Sequence, residues 1–281
     1  MVFGHILRTM LYGAAKEKVR EAVTEAATEQ MSPKKQPGPV EVAVIFAMGI
    51  ESGGLEDLLE DTVTTRGEGI VIRQGTLEEK SVAVVISGVG RKAAARATEA
   101  VISGHEPKLI ISAGLAGGLV DALKRPDILI ADSVADPRGN RLTIHVPKSL
   151  GEAARQPGVN LGRLLTADGL VRTSAEKKAA GREHESMAVD METFAVAEVC
   201  AKRSVQFSSI RTISDTVDET LPKDIENLLS QKSTSGQLGA AAGALFRRPS
   251  SIGDMYRLKE NALVCSDHLA KFLAAMIRRD A

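Results

Sequence analysis

The 281-residue chain balances 36 Lys+Arg against 36 Asp+Glu, and it holds no Trp, two Tyr and six Phe. Its length suits one large α/β domain or two small ones, with ample room for a core. Zero net charge argues against a general nucleic-acid binder, which shows a basic excess, and so few aromatics argue against a stacking platform for single strands.

Residues 1–30 read as an amphipathic helix, with Val2, Phe3, Ile6, Leu7, Met10 and Leu11 at helical spacing. The apolar part is too short to span a bilayer, and it lacks the apolar core and cleavage site of a secretory signal. Packing on the domain, pairing with another chain and contact with a membrane surface are all open to it. Residues 31–39, MSPKKQPGP, form a linker. The main domain is expected over 40–235 and a helical region over 236–281.

Val40–Ala47 is a nearly continuous apolar run, fit for a strand buried on both faces. A loop is expected at Met48–Gly54, carrying Glu51, and further strands at Glu68–Arg73 and Ser81–Ser87. Gly88-Val89-Gly90 turns into a helix from Arg91 to Ser103. Glycines at such a junction let backbone N–H groups approach a ligand oxygen, and they suit an ordinary tight turn equally well.

Leu109–Ser112 reads as a strand opening into a glycine-rich loop, Gly114–Gly118. Strands follow at Asp127–Val134 and Leu161–Thr166. Thr173 and Glu176 form a capping-box pattern that starts a helix. Glu183-His184-Glu185 lacks the second ligand at metal spacing and reads as a solvated charged turn. Cys200 and Cys265 make no disulfide framework and point to a reducing, cytoplasmic compartment.

From Ala188 to Asp218 the pattern is strand, helix, strand. It sets Asp190, Glu192 and Asp215 at strand mouths, where open α/β sheets bind ligands. Read alone, Asp215 is more simply a turn former. Leu238–Phe246 is Ala/Gly-rich and apolar, and Asp254–Ile277 has helical spacing. Alternating strands and helices imply an α/β fold with a mixed, largely parallel sheet.

Five segments together resemble the nucleoside phosphorylase/nucleosidase superfamily, most closely the 5′-methylthioadenosine/S-adenosylhomocysteine nucleosidases. They are Ala47-Met48 with Glu51, Ser87–Gly90, Gly114–Leu119, Asp190-Met191-Glu192 and Arg211–Asp215. The resemblance implies a three-layer α/β/α domain and hydrolysis of the N-ribosidic bond of adenine nucleosides modified at the 5′ position. It implies no metal or organic cofactor, a small-molecule nucleoside as partner, and a homo-oligomer.

By that likeness Asp215 is the acid that protonates the purine, and it must hold a proton near neutrality, as a dry pocket favours. Glu51 is the base beside the attacking water. Ser87 and Arg211 line the water's site, Glu192 accepts from the ribose hydroxyls, and Met191 packs on the sugar. Ser214 helps to position the base, and Leu170, Val171 and Gly117 complete the pocket. Leu170 stands where the family usually places a stacking Phe.

The terminal regions resemble a related subgroup that acts on adenosylhopane. A phosphorylase of that or another purine nucleoside is the alternative enzyme, and a nucleoside-binding scaffold the alternative of another class. Water is favoured over phosphate as nucleophile. The first loop has no Arg, and Ser112 stands where hexameric phosphorylases carry one.

Overall fold

Every residue of β1 (Val42–Phe46) is buried, as its continuous apolar run requires. It lies between β4 (Lys80–Ile86) and β5 (Leu109–Gly118), parallel to both. The computed structural model describes residues 38–223, 225 and 251–280, all within one unit running from Pro37 to Ala281. The expected N-terminal helix, most of the linker and Leu238–Phe246 lie outside the described residues.

Alternation along β1 assigns its side chains to two layers. Val42, Val44 and Phe46 face α1 (Gly49–Glu56), α3 (Lys148–Ala153) and α6 (Ser251–Asp280), through Leu55, Leu150, Leu269, Leu273 and Ile277. Ala43 and Ile45 face α2 (Arg91–His105) and α5 (Thr193–Arg203), through Ala94, Val101, Val196 and Cys200. Helices therefore cover both faces, giving the three-layer α/β/α architecture.

Beyond Ser112, β5 leaves β1 and joins a closed ring. Along its other edge runs β10 (Gln206–Asp215), parallel as far as Gly117. The ring continues through β6 (Ile128–Ala135), β8 (Val159–Thr166) and β9 (Ala188–Asp190). It returns to β5 at Gly117 and Gly118, where β9 pairs antiparallel. Ala116, Leu129, Ala131, Leu164, Ala188, Phe194 and Ile213 pack together in this region. The sheet is mixed: β2 (Glu60–Gly67) and β3 (Ile70–Leu77) extend it antiparallel beyond β4, and β7 (Arg141–Thr143) adds to β6.

Several expected boundaries move. The Met48–Gly54 segment is not a loop: α1 begins at Gly49, because Glu51 reaches back to accept from the Met48 N–H at 2.8 Å. The strand expected at Glu68–Arg73 straddles a turn, with Glu68 at φ 50° and Gly69 at φ 78°. β2 before that turn escaped notice because EDTVTTRG is almost wholly exposed. Gly114–Gly118 is not a loop but the second half of β5. The Thr173–Glu176 capping box is formed as read and starts α4 (Ser174–His184).

α6 packs on α1, where Leu273 is fully buried with Leu55, Leu59 and Phe46. Replacing Leu273 by Ala removes buried methyl groups and leaves a cavity. Urea unfolding of L273A should show a loss of about 2–5 kcal/mol against the wild type. A loss within experimental error would mean that α6 contributes little to the core.

Candidate active site

The polar residues of the site gather around the second half of β5, where the ring closes. At Gly114 a Cβ would stand 2.5 Å from Arg211 Nη1 and 2.8 Å from Glu51 Oε1. Only hydrogen leaves room for a carboxylate and a guanidinium to share that face of the strand. Glu51 is buried at 4 % exposure. Its Oε2 accepts from the Ala47 and Met48 N–H groups at 3.0 and 2.8 Å, and its Oε1 from the Leu115 N–H at 2.9 Å. Burial pushes its carboxyl above the ordinary range, against the Leu115 N–H and the Arg211 charge.

Arg211 enters from β10. Its Nη2 lies 2.6 Å from Asp190 Oδ2, 2.7 Å from Ser112 Oγ and 2.6 Å from Thr193 Oγ1. Asp190 also accepts from the Thr193 N–H at 2.9 Å and, on its other oxygen, from the Thr166 hydroxyl at 2.7 Å.

Glu192 precedes α5 and points to the turn before α2, where its Oε1 accepts from the Gly90 N–H at 2.7 Å. Burial, with Asp190 close by, pushes its carboxyl up to about 8, opposed by Arg211 and the Gly90 N–H. The glycine turn thus supplies a backbone donor to the very carboxylate assigned to the ribose. Met191 is half-buried beside it. Ser87 is buried, its hydroxyl turned to the Phe46 and Gly88 carbonyls at 3.1 and 2.8 Å.

Asp215 closes β10, three residues further along β5. A Cβ on Gly117 would stand 3.1 Å from Asp215 Oδ2. The Ser214 hydroxyl donates to Asp215 Oδ1 at 2.6 Å. Leu170 and Val171 follow β8 and are half-buried, Val171 against Leu165 and Val189. The structure therefore gathers Glu51, Arg211, Asp190 and Ser112 at Gly114, and Asp215 with Ser214 at Gly117. Glu192 lies between α5 and the Gly88–Gly90 turn.

Residues 41–245 match the sequence pattern of the phosphorylase superfamily. The chain belongs to that superfamily. A 5′-methylthioadenosine/S-adenosylhomocysteine nucleosidase of Shewanella loihica is 30% identical over 212 residues, 68% of this chain and 92% of that one. A Haemophilus influenzae protein of the same name is 29% identical over 211 residues, with the same two coverages. Among solved structures, a Helicobacter pylori nucleosidase with 5′-methylthioadenosine in its active site superposes with a TM-score of 0.65 at 21% identity. That match covers 85% of this chain and 99% of the other. At that identity the likeness speaks for the fold.

Two features of this superfamily member went unread in the sequence. Lys177, on α4, is fully buried and reaches Asp215 Oδ2 at 2.5 Å, so Asp215 does not stand in the dry, uncharged pocket expected for it. A signal for it existed: the capping box fixes the start of α4, so Lys177 stands in the first turn, where the helix dipole disfavours a cation. The second is the contact of α6, a helix expected from the spacing of Asp254–Ile277, with the site itself. The Ser266 hydroxyl donates to the Glu51 carbonyl at 2.9 Å, and Cys265 Sγ reaches the Ile213 carbonyl at 3.4 Å. Glu183–Glu185 is not a turn: Glu183 and His184 close α4 and Glu185 caps it in the left-handed region, its carboxylate paired with Arg141 and Arg163.

The raised Glu192 carboxyl has a consequence for stability. Its unfolded-state value is about 4.3 and its folded value about 8. Its contribution is therefore full below the unfolded value and is lost as pH rises through the folded one. A neutral Gln escapes that loss. E192Q should gain stability relative to the wild type as pH rises across this window, and the gain should level off above it. Thermal melts at acid and mildly alkaline pH check this. A difference that stays constant with pH would show that Glu192 titrates normally.

Proposed function

We propose that this protein hydrolyses the N-ribosidic bond of adenine nucleosides modified at the 5′ position, such as 5′-methylthioadenosine or S-adenosylhomocysteine. The observation that carries the reading is the placement of two carboxylates along one strand, Glu51 at Gly114 and Asp215 at Gly117. The bond to be broken joins a poor leaving group to a sugar that passes through an oxocarbenium-like state. Neutralising the base needs an acid at one end, and activating water needs a base at the other.

In this reading water loses a proton to Glu51 as its oxygen bonds to C1′. The C1′–N9 bond breaks, and Asp215 delivers a proton to N7 of the departing adenine. The products are free adenine and the 5-modified ribose. Glu51 returns its proton to solvent, and Asp215 is reprotonated from solvent. The raised carboxyl of Glu51 suits a base that must compete for a water proton. Glu192 receives the ribose hydroxyls, with its Oε1 fixed by the Gly90 N–H. Developing positive charge on the sugar favours its ionised form.

Arg211 commits its Nη2 to Asp190, Ser112 and Thr193, so that nitrogen is not free for a phosphate. Glu51 at the same spot repels an anion. The two buried free thiols, Cys200 and Cys265, accord with a reducing cytoplasmic setting. Self-association belongs to the same reading, and sedimentation of the purified protein tests it.

Incubation with 5′-methylthioadenosine should release adenine at a rate that does not depend on phosphate. E51Q and D215N should keep the fold and each lose about 10²–10⁴-fold in turnover, the usual worth of general acid or base catalysis. Adenine release that requires phosphate would replace the hydrolase by a phosphorylase. Full activity of either variant would remove that residue from its role.

A further inference from the structure

Lys177 has no part in the acid–base scheme above, yet its surroundings are built around it. Its side chain is fully buried, and its Nζ meets Asp215 Oδ2 at 2.5 Å, the Thr216 carbonyl at 2.9 Å and the Glu219 carbonyl at 2.7 Å. An ammonium has three donors, and here all three are used. A buried charge is expensive unless it is paired and fully hydrogen-bonded, so this geometry is closely specified. The segment it holds is short: Asp215, Thr216 and Glu219 lie within five residues, beginning with the last residue of β10.

A second cation holds that segment from behind. Arg125 donates from Nε to the Ser214 carbonyl at 2.7 Å and pairs through Nη2 with Glu219. Glu219 in turn accepts from the Thr216 N–H at 2.8 Å. The carboxylate of Asp215 is thereby fixed on three sides: Ser214 on Oδ1, Lys177 on Oδ2 and the bare Cα of Gly117 against Oδ2.

We propose that Lys177 is a positioning residue of the reaction: it holds Asp215 by Oδ2, so that the acid, carrying its proton on Oδ1 with the Ser214 hydroxyl turned to the Ala116 carbonyl, is aimed at the purine before the bond breaks. The inference rests on the hydrolase reading above. Lys177 touches no substrate in it and acts only through Asp215. Misplacement of a reacting group by about 1 Å can cost about 10²-fold, and that is the loss expected when the tether is cut.

The test compares two leaving groups in the full-length protein. Adenine leaves well only if protonated, whereas 4-nitrophenolate leaves without a proton. A 4-nitrophenyl riboside carrying the same 5-methylthio group therefore needs Glu51, Glu192 and water but not the acid. K177M should lose about 10²-fold in kcat on 5′-methylthioadenosine, with KM little changed, and keep its rate on the nitrophenyl substrate. D215N should show the same split, and adding K177M to D215N should lower purine cleavage no further. Loss of both substrates in proportion would show a merely structural lysine, and wild-type rates on both would show no role.

If K177M does not accumulate as folded protein, K177R decides. It keeps the cation but displaces the donors, so the purine-to-nitrophenyl ratio should fall; an unchanged ratio overturns the proposal. If the wild type cleaves only the purine, the kcat and KM split stands in its place, and a rise in KM at constant kcat overturns the proposal. A wild type inert to both substrates contradicts the hydrolase reading and this inference with it.

Discussion

Arg211 is only 2 % exposed, and its guanidinium is held by Asp190, Ser112 and Thr193. These partners come from the end of β9, the middle of β5 and the first residue of α5, while Arg211 itself sits on β10. One buried cation therefore joins four elements at the point where the ring of strands closes. Desolvating two charges costs several kcal/mol per ion, and only close pairing with further hydrogen bonds offsets it. Removing the guanidinium would leave the Asp190 charge buried beside a neighbouring carboxylate. The junction ties β10 to β5 at the level of the site.

Gly114 and Gly117 are three residues apart on β5, so Glu51 and Asp215 meet the strand at points about 10 Å apart along it, at about 3.3 Å per residue. Glycine at Gly114 is a steric requirement, since Glu51 and Arg211 approach the strand more closely than a Cβ allows, while at Gly117 a Cβ would crowd Asp215 at 3.1 Å. The bare strand and the packed guanidinium are two sides of one constraint.

Much of this was legible in the residues. The apolar run at Val40–Ala47, the strand–helix–strand pattern of Ala188–Asp218 and the Thr173–Glu176 box follow from periodicity and capping chemistry, and all three stand in the fold. The carboxylates could be named but not arranged. Nothing local says that β9 and β10 flank β5 on opposite edges, because that is set by ring closure. Gly114–Gly118 read as a loop because glycines weaken a strand on local propensity, whereas here they admit neighbouring side chains. Glu51 read as a loop residue because its cap is made by its own side chain. Lys177 was hidden by Lys178: two adjacent lysines in a polar helix look alike, and only packing shows which turns inward. Lys178 pairs with Asp218 near the surface.

The central claim is that Glu51 draws a proton from water, whose oxygen then joins the sugar at C1′. The direct measurement is mass spectrometry of the sugar released from 5′-methylthioadenosine in water enriched in the heavy oxygen isotope, with phosphate present at natural abundance. Label should be found in the free sugar after a single turnover, before ring opening can exchange it. A sugar phosphate without label would contradict the account.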